Sequence, residues 1–335
     1  MILVTGGTGL VGSHLLLRLI RDNRKVKAIY REEGSLANVK KVFSYYSENG
    51  NTLFEQINWV RADITDIPAL ENAFKNVTIV YHAAAMISFD PKNYYKLKAA
   101  NVTGTTNIVN LCIEYTIKKL CYVSTIGAIG RSMNGTMATE ENEWASQYAN
   151  VYALTKYRAE MEVWRGSQEG LSVIIVNPGV IIGPGFWDSG SGAFFTTANK
   201  GYGFYPPGGT GFISVGDVVK MMVELMHMDI GNQRFIAITE NLSYKKVLSS
   251  ISQHLGKKEP TRELKIWQLQ IGRFFDYLRN QIDGKGRRIT KKSIESLLHR
   301  DDYDNQKIKD TLDFDFEPLD PIISFCCQKF IEENR

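Results

Sequence analysis

The amino-acid sequence predicts an α/β fold in which a doubly wound parallel sheet is joined to a smaller C-terminal domain. Two observations support this prediction. Short apolar runs recur through the first half of the chain, and segments with helical apolar periodicity separate them. Strands that alternate with helices form parallel sheets covered by helices on both faces. We predict strands at residues 2–4, 26–30, 57–60, 77–81, 120–123 and 171–176, and helices at residues 10–20, 67–74, 94–115 and 144–164.

A glycine-rich turn lies between the first predicted strand and the first predicted helix. Gly6, Gly9 and Gly12 follow one another at three-residue spacing, the pattern of a dinucleotide-binding fingerprint in this strand–turn–helix context. Gly6 would permit the tight turn, Gly9 the close approach of a pyrophosphate, and Gly12 the close packing of helix on strand. The helix N-terminus offers free N–H groups and partial positive charge to phosphates. A glycine triplet alone also suits an ordinary turn, but the two flanks favour a Rossmann-type dinucleotide site.

The residue expected to read the cofactor ribose follows the second predicted strand. Arg31 lies about twenty residues beyond the glycines, where an acid binds the 2′-hydroxyl of NAD and an arginine suits the 2′-phosphate of NADP. The sequence therefore predicts NADP as the cofactor. Glu32 and Glu33 follow at once, so an ordinary solvated charge cluster, with NAD bound instead, is the alternative.

Tyr152 and Lys156 lie four residues apart in a predicted helix, which places a phenol and an ammonium on one face. A free tyrosine has a pKa of about 10. A neighbouring ammonium, together with a cationic oxidised nicotinamide, would favour the phenolate. The pair therefore suits proton transfer, and a surface Tyr/Lys pair is the alternative. Ser124 and Thr125 follow the fifth predicted strand, where ligands bind in open α/β sheets, so a hydroxyl there would either hold a substrate oxygen or cap a turn.

These motifs resemble those of the extended branch of the short-chain dehydrogenase/reductase superfamily over nearly the whole chain. The resemblance implies that Tyr152 is the general acid or base, that Lys156 lowers its pKa and that Thr125 is the catalytic hydroxyl. It also implies a structural and proton-relay role for Asn101. The cofactor contacts that it implies are Gly6, Thr8, Gly9, Leu10, Val11, Gly12, Arg31, Asp63, Ile64, Ala83, Ala84, Ala85, Tyr152, Lys156, Asn177, Pro178 and Val180.

The subfamily is indicated by the segment Asn-Pro-Gly-Val-Ile-Ile-Gly-Pro at residues 177–184. It is similar to dihydroflavonol and cinnamoyl-CoA reductases, whereas nucleotide-sugar epimerases usually have Arg-Pro at its start. Residues 208–217 and 235–243 resemble segments of sugar epimerases and of 3β-hydroxysteroid dehydrogenases instead. We therefore expect an NADP-dependent oxidoreductase that transfers a hydride between the nicotinamide and a carbonyl or alcohol substrate. The alternatives are a nucleotide-sugar epimerase or dehydratase, a 3β-hydroxysteroid dehydrogenase-like enzyme and a non-catalytic dinucleotide sensor.

The predicted domains are discontinuous in sequence. Residues 1–178 and 212–239 would form the dinucleotide-binding domain, residues 179–211 and 240–318 the substrate domain, and residues 319–335 a C-terminal helix. Residues 264–282 have the periodicity of an amphipathic, aromatic-rich helix, which would pack in a core, act as a substrate lid or contact a membrane surface. The predicted helices 94–115 and 144–164 correspond to the dimer interface of many extended members, whereas dihydroflavonol-type relatives are often monomers, so the sequence leaves a homodimer and a monomer as open alternatives.

Composition excludes several other classes of protein. Lys and Arg exceed Asp and Glu by only four, and no basic stretch has interleaved aromatics, so no nucleic-acid partner is expected. No uncharged apolar run of 18 residues is present, so no membrane span is expected. A strand beginning at Ile2 leaves no room for a signal peptide. The cysteines lack metal-ligand spacing, which predicts no metal site and fits a reducing cytoplasm; they are Cys112, Cys121, Cys326 and Cys327.

Overall fold

Strands and helices alternate through the computed structural model, which describes residues 1–131, 135–283, 287 and 289–334. The strands are β1 Ile2–Thr5, β2 Val26–Tyr30, β3 Asn58–Arg61, β4 Ile79–His82, β5 Lys119–Val123, β6 Val173–Pro178, β7 Val180–Ile182, β8 Phe204–Tyr205, β9 Gly209–Ser214, β10 Gln233–Ala237, β11 Glu240–Ser243 and β12 Arg262–Glu263. The helices are α1 Leu10–Arg21, α2 Leu36–Tyr46, α3 Gly50–Glu55, α4 Ile67–Phe74, α5 Tyr94–Leu97, α6 Gly104–Glu114, α7 Val151–Gln168, α8 Gly192–Asn199, α9 Val215–His227, α10 Tyr244–His254, α11 Ile266–Asp283, α12 Lys291–Leu298, α13 Gln306–Leu312 and α14 Leu319–Glu333. A π-helical turn, Lys98–Thr103, joins α5 to α6.

Seven of these strands form one parallel sheet in the order β10-β6-β5-β4-β1-β2-β3. Ile2 of β1 pairs with Val26 of β2 on one side and with Ile79 of β4 on the other, so the strand order reverses beside β1. The helices that follow β1 and β4 cover opposite faces, which opens a crevice at the carboxyl edge where such sheets bind ligands. The predicted doubly wound α/β fold is therefore confirmed.

Both faces of the parallel sheet are covered by apolar side chains of the helices. On one face, α1 and α9 bury residues such as Leu15 and Met222. On the other face, α4, α6 and α7 bury Phe74, Ile108 and Val163. Each fully buried side chain of this size stabilises the fold by about 1.5 to 3 kcal/mol. The near-continuous apolar runs of the strands follow from this two-sided burial.

A third apolar cluster surrounds the three-stranded sheet β11-β9-β7. Phe195 of α8, Ile251 of α10 and Phe330 of α14 are buried there together with Phe212 of β9. Strands β8 and β12 form a separate two-stranded pair. The predicted division into domains stays a prediction. Its ranges also include residues 132–134, 284–286, 288 and 335, which lie outside the described residues.

The predicted helix 144–164 is wrong in its first part. Helix α7 begins at Val151, because the side chain of Asn150 caps it there. Trp144 is not helical and instead stacks on Tyr157, with ring centroids 4.0 Å apart. An aromatic residue at helical spacing was therefore mistaken for the first turn of the helix.

Strand boundaries also differ from those predicted. The predicted strands 57–60, 77–81 and 171–176 begin at residues 58, 79 and 173 in the structure. Strand β10 pairs with β6 at the edge of the parallel sheet and was not predicted. Short apolar runs mark the centre of a strand, whereas its ends depend on hydrogen bonds to neighbouring strands.

Backbone contacts around the glycine turn leave no room for a side chain at two positions. Gly6 has a φ of +71°, and a Cβ there would lie 2.6 Å from the carbonyl carbon of Ala83. A Cβ on Gly12 would lie 2.0 Å from the carbonyl oxygen of Gly6. The turn, the start of α1 and the segment after β4 are therefore in direct contact at the crevice.

We expect Gly12→Ala to lower the free energy of unfolding by more than about 2 kcal/mol, because the added methyl group must displace backbone atoms. Gly34→Ala is the matched control. A Cβ at Gly34 has no neighbour within 4 Å among the described residues, so this change should be neutral or slightly stabilising. Urea denaturation of both variants measures the difference. Equal stability of the two variants would contradict the close packing of the turn.

Candidate active site

The start of α1 has the features of a phosphate site. Gly9 is the N-cap residue and makes no side-chain cap bond, so the first N–H groups of the helix are left for a ligand. Among the described residues, a Cβ on Gly9 would meet only the carbonyl oxygen of Gly6, at 3.5 Å. The turn therefore has open space on its outer side. Thr8, Leu10 and Val11 are half-buried around it.

Arg31 and Asp63 follow the neighbouring parallel strands β2 and β3 and lie side by side. Arg31 Nη1 is 3.8 Å from Asp63 Oδ2, and the Arg31 side chain is 69% exposed. Asp63 also accepts a hydrogen bond from the Thr65 N–H at 2.9 Å. Ile64 is buried, and its side chain packs closely against Gly104. The guanidinium is thus open to a ligand phosphate, which would compete with the carboxylate for it.

Residues 83–85 leave the end of β4 beside the glycine turn. The Ala83 N–H donates to the Thr5 carbonyl oxygen at 3.1 Å, which continues the sheet hydrogen bonding beyond β4. Ala83 and Ala84 are half-buried, whereas Ala85 is exposed. These small residues border the crevice where the sequence predicts the cofactor ribose.

Lys156 is 1% exposed and lies against the end of β5. Its Nζ donates to the Tyr122 hydroxyl and to the Val123 carbonyl oxygen, at 2.7 Å each. Burial lowers the pKa of Lys156 to about 7, against a smaller upward contribution from the Glu160 carboxylate. Neither Tyr122 nor Glu160 was predicted from the sequence as a site residue. Tyr122 had the pattern of an apolar strand residue, so nothing in the sequence marked its hydroxyl. Glu160 lies four residues beyond Lys156 on the same helix, and this spacing could have indicated that its carboxylate lies on the same helix face as Lys156.

Tyr152 lies one turn before Lys156 on α7 and is half-buried. Its ring packs edge-on against Phe89, with centroids 5.9 Å apart. Burial raises the pKa of Tyr152 to about 12. This differs from the expectation that the neighbouring ammonium lowers the pKa of the phenol. Desolvation disfavours the charged forms of both groups, so the phenol is protonated at neutral pH.

Two hydroxyls follow β5, and they have different surroundings. The Ser124 hydroxyl is buried and donates to Glu160 Oε2 at 2.5 Å. Thr125 is half-buried, and its Oγ1 accepts from the Gly127 N–H at 3.2 Å as the cap of a short 3₁₀ turn. The capping role is therefore present, but a hydroxyl that accepts one bond keeps its own proton for another acceptor. Thr125 remains the candidate catalytic hydroxyl.

Asn101 lies in the π-helical turn that interrupts the predicted helix 94–115. It is 1% exposed. Its Oδ1 accepts from the Met86 N–H at 2.7 Å, and its Nδ2 donates to the Met86 carbonyl oxygen at 3.0 Å and to Thr155 Oγ1 at 3.1 Å. Asn101 thus connects the segment after β4 to α7 beside Lys156. Its proton-relay role stays a prediction.

Asn177 lies near the end of β6 and is fully buried. Its Nδ2 donates to Glu160 Oε2 at 2.9 Å and to the Thr125 carbonyl oxygen at 3.1 Å. Its Oδ1 has no hydrogen-bond partner among the described residues. An unsatisfied buried acceptor costs about 1 to 3 kcal/mol, which a ligand N–H or O–H would relieve. Pro178 ends β6 and is buried, and Val180 begins β7 and is half-buried.

Glu160 provides the buried negative charge of the site. It is 0% exposed, and its Oε1 lies 3.2 Å from Arg234 Nη1 of β10. Hydrogen bonds from Ser124 and Asn177 complete its surroundings. One buried carboxylate thus joins the ends of β5, β6 and β10 to α7.

The site as a whole fits a dinucleotide. The uncapped start of α1 suits a pyrophosphate, the open guanidinium of Arg31 suits a ribose phosphate, and the unpaired acceptor of Asn177 suits a polar group at the other end. Within the described ranges, no group of three His, Cys, Asp or Glu side chains is arranged to hold a metal ion.

The pKa of Lys156 makes the stability of the fold depend on pH. Its ordinary value is 10.5 and its value in the folded chain is about 7. Between these values the unfolded chain binds a proton that the folded chain lacks. The free energy of unfolding should therefore rise with pH, by up to about 1.4 kcal/mol per pH unit.

Lys156→Met should remove the contribution of Lys156 to the slope of the free energy of unfolding against pH. Urea denaturation at several pH values above neutrality measures it for the wild type and the variant. Lys118→Met, which changes an exposed lysine, is the control and should keep the wild-type slope. If the free energy of unfolding changes with pH equally in the wild type and in Lys156→Met, Lys156 is charged in the folded protein.

The chain matches known proteins over most of its length. Residues 2–236 match the NAD dependent epimerase/dehydratase family. The chain is 28% identical over 275 residues to a putative dihydroflavonol 4-reductase of Synechocystis, which covers 79% of this chain and 75% of the relative. It is 27% identical over 266 residues to sterol demethylase protein B of Methylococcus capsulatus, covering 77% and 75%.

A solved structure with a similar fold is the yeast methylglyoxal/isovaleraldehyde reductase Gre2 complexed with NADPH. Its TM-score is 0.76 at 19% sequence identity, over 99% of this chain and 98% of that chain. The glycine turn, the Tyr152–Lys156 pair and Asn177 all lie within residues 2–236, the range of the family match. The chain therefore belongs to the NAD-dependent epimerase/dehydratase family, within the extended short-chain dehydrogenases/reductases, and is an NAD(P)-dependent enzyme.

Proposed function

We propose that this enzyme is an NADP-dependent reductase that converts a carbonyl group into an alcohol, with the reverse oxidation at the same site. The position of Tyr152 is the observation that carries the proposal. Its phenol is half-buried at the crevice, one turn before Lys156 on α7, and Lys156 contacts the end of β5. The phenol is protonated at neutral pH, which is the form that a general acid requires.

The other site residues fit the same reaction. When bound, the reduced cofactor supplies a hydride to the carbonyl carbon. Tyr152 donates its proton to the carbonyl oxygen, and Thr125 donates a hydrogen bond that positions this oxygen. The alcohol thus receives one hydride and one proton, and the phenolate that remains regains a proton from solvent. Lys156 in its protonated form would support this step, because a positive charge near the phenol stabilises the developing phenolate.

A dihydroflavonol-reductase-like activity is supported by two features. The dipeptide Asn177-Pro178 is the one that resembles dihydroflavonol and cinnamoyl-CoA reductases. A relative covering most of the chain is named a putative dihydroflavonol 4-reductase. We infer a carbonyl substrate that lies between Tyr152 and Thr125.

A nucleotide-sugar epimerase or dehydratase is the second candidate. The description of the family favours it, as does the segment 208–217, which includes β9 beside β7. A 3β-hydroxysteroid dehydrogenase-like activity would use the same acid–base groups. An epimerase oxidises and re-reduces its substrate without net consumption of cofactor, and this separates it from a reductase. Assembly as a homodimer also stays a prediction.

Tyr152→Phe should reduce turnover by a factor of at least about 10² to 10⁴, because it removes the general acid and little else. The measurement is NADPH oxidation with a panel of aldehydes, ketones and thioesters. Tyr157→Phe, on the same helix but stacked on Trp144, is the matched control and should keep wild-type turnover. Near-normal activity of Tyr152→Phe would exclude Tyr152 as the acid.

The same panel distinguishes the two candidate functions. A reductase consumes NADPH and exchanges its cofactor readily. Inversion of a nucleotide sugar without net NADPH consumption, together with tightly retained NAD in the purified protein, would favour the epimerase. Mass spectrometry of the small molecules released on denaturation detects the retained cofactor.

Arg31→Ala should weaken NADP binding about ten- to a hundredfold, because a charge-assisted hydrogen bond contributes about 1.5 to 3 kcal/mol. NAD binding should change little, since NAD lacks the 2′-phosphate. Calorimetric titration of both cofactors measures the two effects, and Arg18→Ala on the outer surface of α1 is the control. If the wild type binds NAD as tightly as NADP, Arg31 does not read the phosphate and remains paired with Asp63.

A further inference from the structure

Helix α11 presents its apolar side chains to solvent. Trp267 is 58% exposed, Phe275 63% and Ile282 88%. Seventeen large apolar side chains are exposed in the described residues, and eight of them lie on this one helix: Ile266, Trp267, Ile271, Phe274, Phe275, Tyr277, Leu278 and Ile282. The steps between residues 267, 271, 274, 278 and 282 are three or four, so these residues share one helix face. An apolar patch of this kind marks an interaction surface.

The side of α11 that faces the protein is partly polar. Asp276 is 8% exposed and Asn280 is 6% exposed. Asp276 accepts hydrogen bonds from the Ile289 N–H at 3.0 Å and from Arg279 at 2.9 Å. Leu269 is the buried apolar side chain of the helix. The helix is therefore attached through its polar side, and its apolar side is left for a partner.

The sequence around α11 is strongly basic. Residues 257–292 contain eleven Lys and Arg against four Asp and Glu, a formal charge of +7. The whole chain carries only +4, so the remaining residues sum to −3. Several of these basic side chains are exposed in the segments that precede and follow the helix in sequence: Lys257, Lys258, Arg262, Lys265 and Lys291. Positive charge beside an apolar helix face is typical of helices that lie in the interface of an anionic membrane.

We propose that the apolar face of α11 docks on the surface of an anionic lipid bilayer. The aromatic and aliphatic side chains enter the interface, and the flanking lysines and arginines contact the lipid headgroups. The charge disfavours a second copy of this chain as the partner, because a symmetric contact would bring two segments of +7 together. Among the described residues no helix has the length and apolarity to cross a membrane, so this contact is peripheral.

The docking face is connected to the candidate active site. The N–H of Arg287, just beyond α11, donates to Asp90 Oδ2 at 2.7 Å. Phe89, the neighbour of Asp90, packs against Tyr152. A bilayer bound to α11 therefore lies on the side of the molecule that carries this active-site segment.

Vesicle co-sedimentation of the full chain tests the proposal. We expect binding to vesicles of phosphatidylcholine mixed with phosphatidylglycerol, and much weaker binding to phosphatidylcholine alone or at high salt. The double variant Phe274→Ser and Phe275→Ser should bind at least about tenfold more weakly, because it removes two large apolar groups from the interface. Tyr95→Ser with Met137→Ser, which changes exposed apolar side chains elsewhere, is the matched control and should bind as the wild type does.

Charge variants test the second part of the proposal. Each basic side chain near an anionic surface strengthens binding by about fivefold. Replacing Lys257, Lys258 and Lys265 with glutamine should therefore weaken binding to the anionic vesicles by about a hundredfold. Brominated lipid should quench the tryptophan fluorescence of the wild type, and the quenching should be smaller in Trp267→Phe.

Two outcomes would overturn the proposal. In the first, the Phe274/Phe275 double variant binds anionic vesicles as tightly as the wild type does. The other is a lack of vesicle binding by the wild type, and in that case light scattering separates the explanations. If the wild type is a dimer and the double variant is a monomer, the partner of this face is a second copy of the chain. If both proteins are monomers, neither a bilayer nor a second copy covers this face. Vesicle binding needs no turnover, so either outcome leaves the proposed reductase activity untouched.

Discussion

The close approach of backbone to backbone at the glycine turn is the constraint on which the site depends. Gly12 lies so near Gly6 that a single methyl group would not fit, and a Cβ on Gly6 would likewise overlap the backbone of Ala83 and Ala84. These contacts hold the start of α1 between β1 and β4, where the order of strands reverses. A free helix N-terminus is thereby placed at the carboxyl edge of the sheet, close to the segments that follow β4 and β5. A larger residue would move the helix and the phosphate site with it.

Two buried ionisable groups, Glu160 and Lys156, lie at the other end of the crevice, near the ends of β5 and β6. Glu160 is fully buried and has hydrogen-bond donors and Arg234 around it, so its negative charge is compensated. Lys156 has the Tyr122 hydroxyl and the Val123 carbonyl oxygen as acceptors, both uncharged, and its pKa falls to about 7. Hydrogen bonds to neutral groups replace only part of the solvation that an ammonium loses. At neutral pH the protein alone therefore holds Tyr152 protonated and Lys156 only partly charged, and a bound cationic ring would change that balance.

Helix α11 shows the opposite arrangement from the core helices. In α1 and α7 the apolar face packs on the sheet, as in most globular proteins. In α11 the polar residues Asp276 and Asn280 face inward, and the aromatic residues face outward. The Ile289 N–H, in the segment after the helix, donates a hydrogen bond to Asp276 and so connects the polar side of the helix to the rest of the protein.

The sequence by itself determined the doubly wound fold, the glycine turn and the family. These are local properties: a strand is a short apolar run, and a phosphate turn is a spacing of glycines. Helix and strand ends were less well predicted, since they depend on caps such as Asn150 and on pairing with neighbouring strands. Trp144 had helical spacing, but it packs on Tyr157 from a non-helical segment.

Only the tertiary structure decided which groups meet. Tyr122 was read as an apolar strand residue, yet its hydroxyl accepts from Lys156, because β5 and α7 bring together residues 34 positions apart. The pKa directions of the catalytic pair follow from burial, which a spacing of four residues cannot reveal. The periodicity of α11 predicted an amphipathic helix but not the direction of its apolar face. That direction depends on what surrounds the helix, and the surroundings of a residue exist only once the chain has folded.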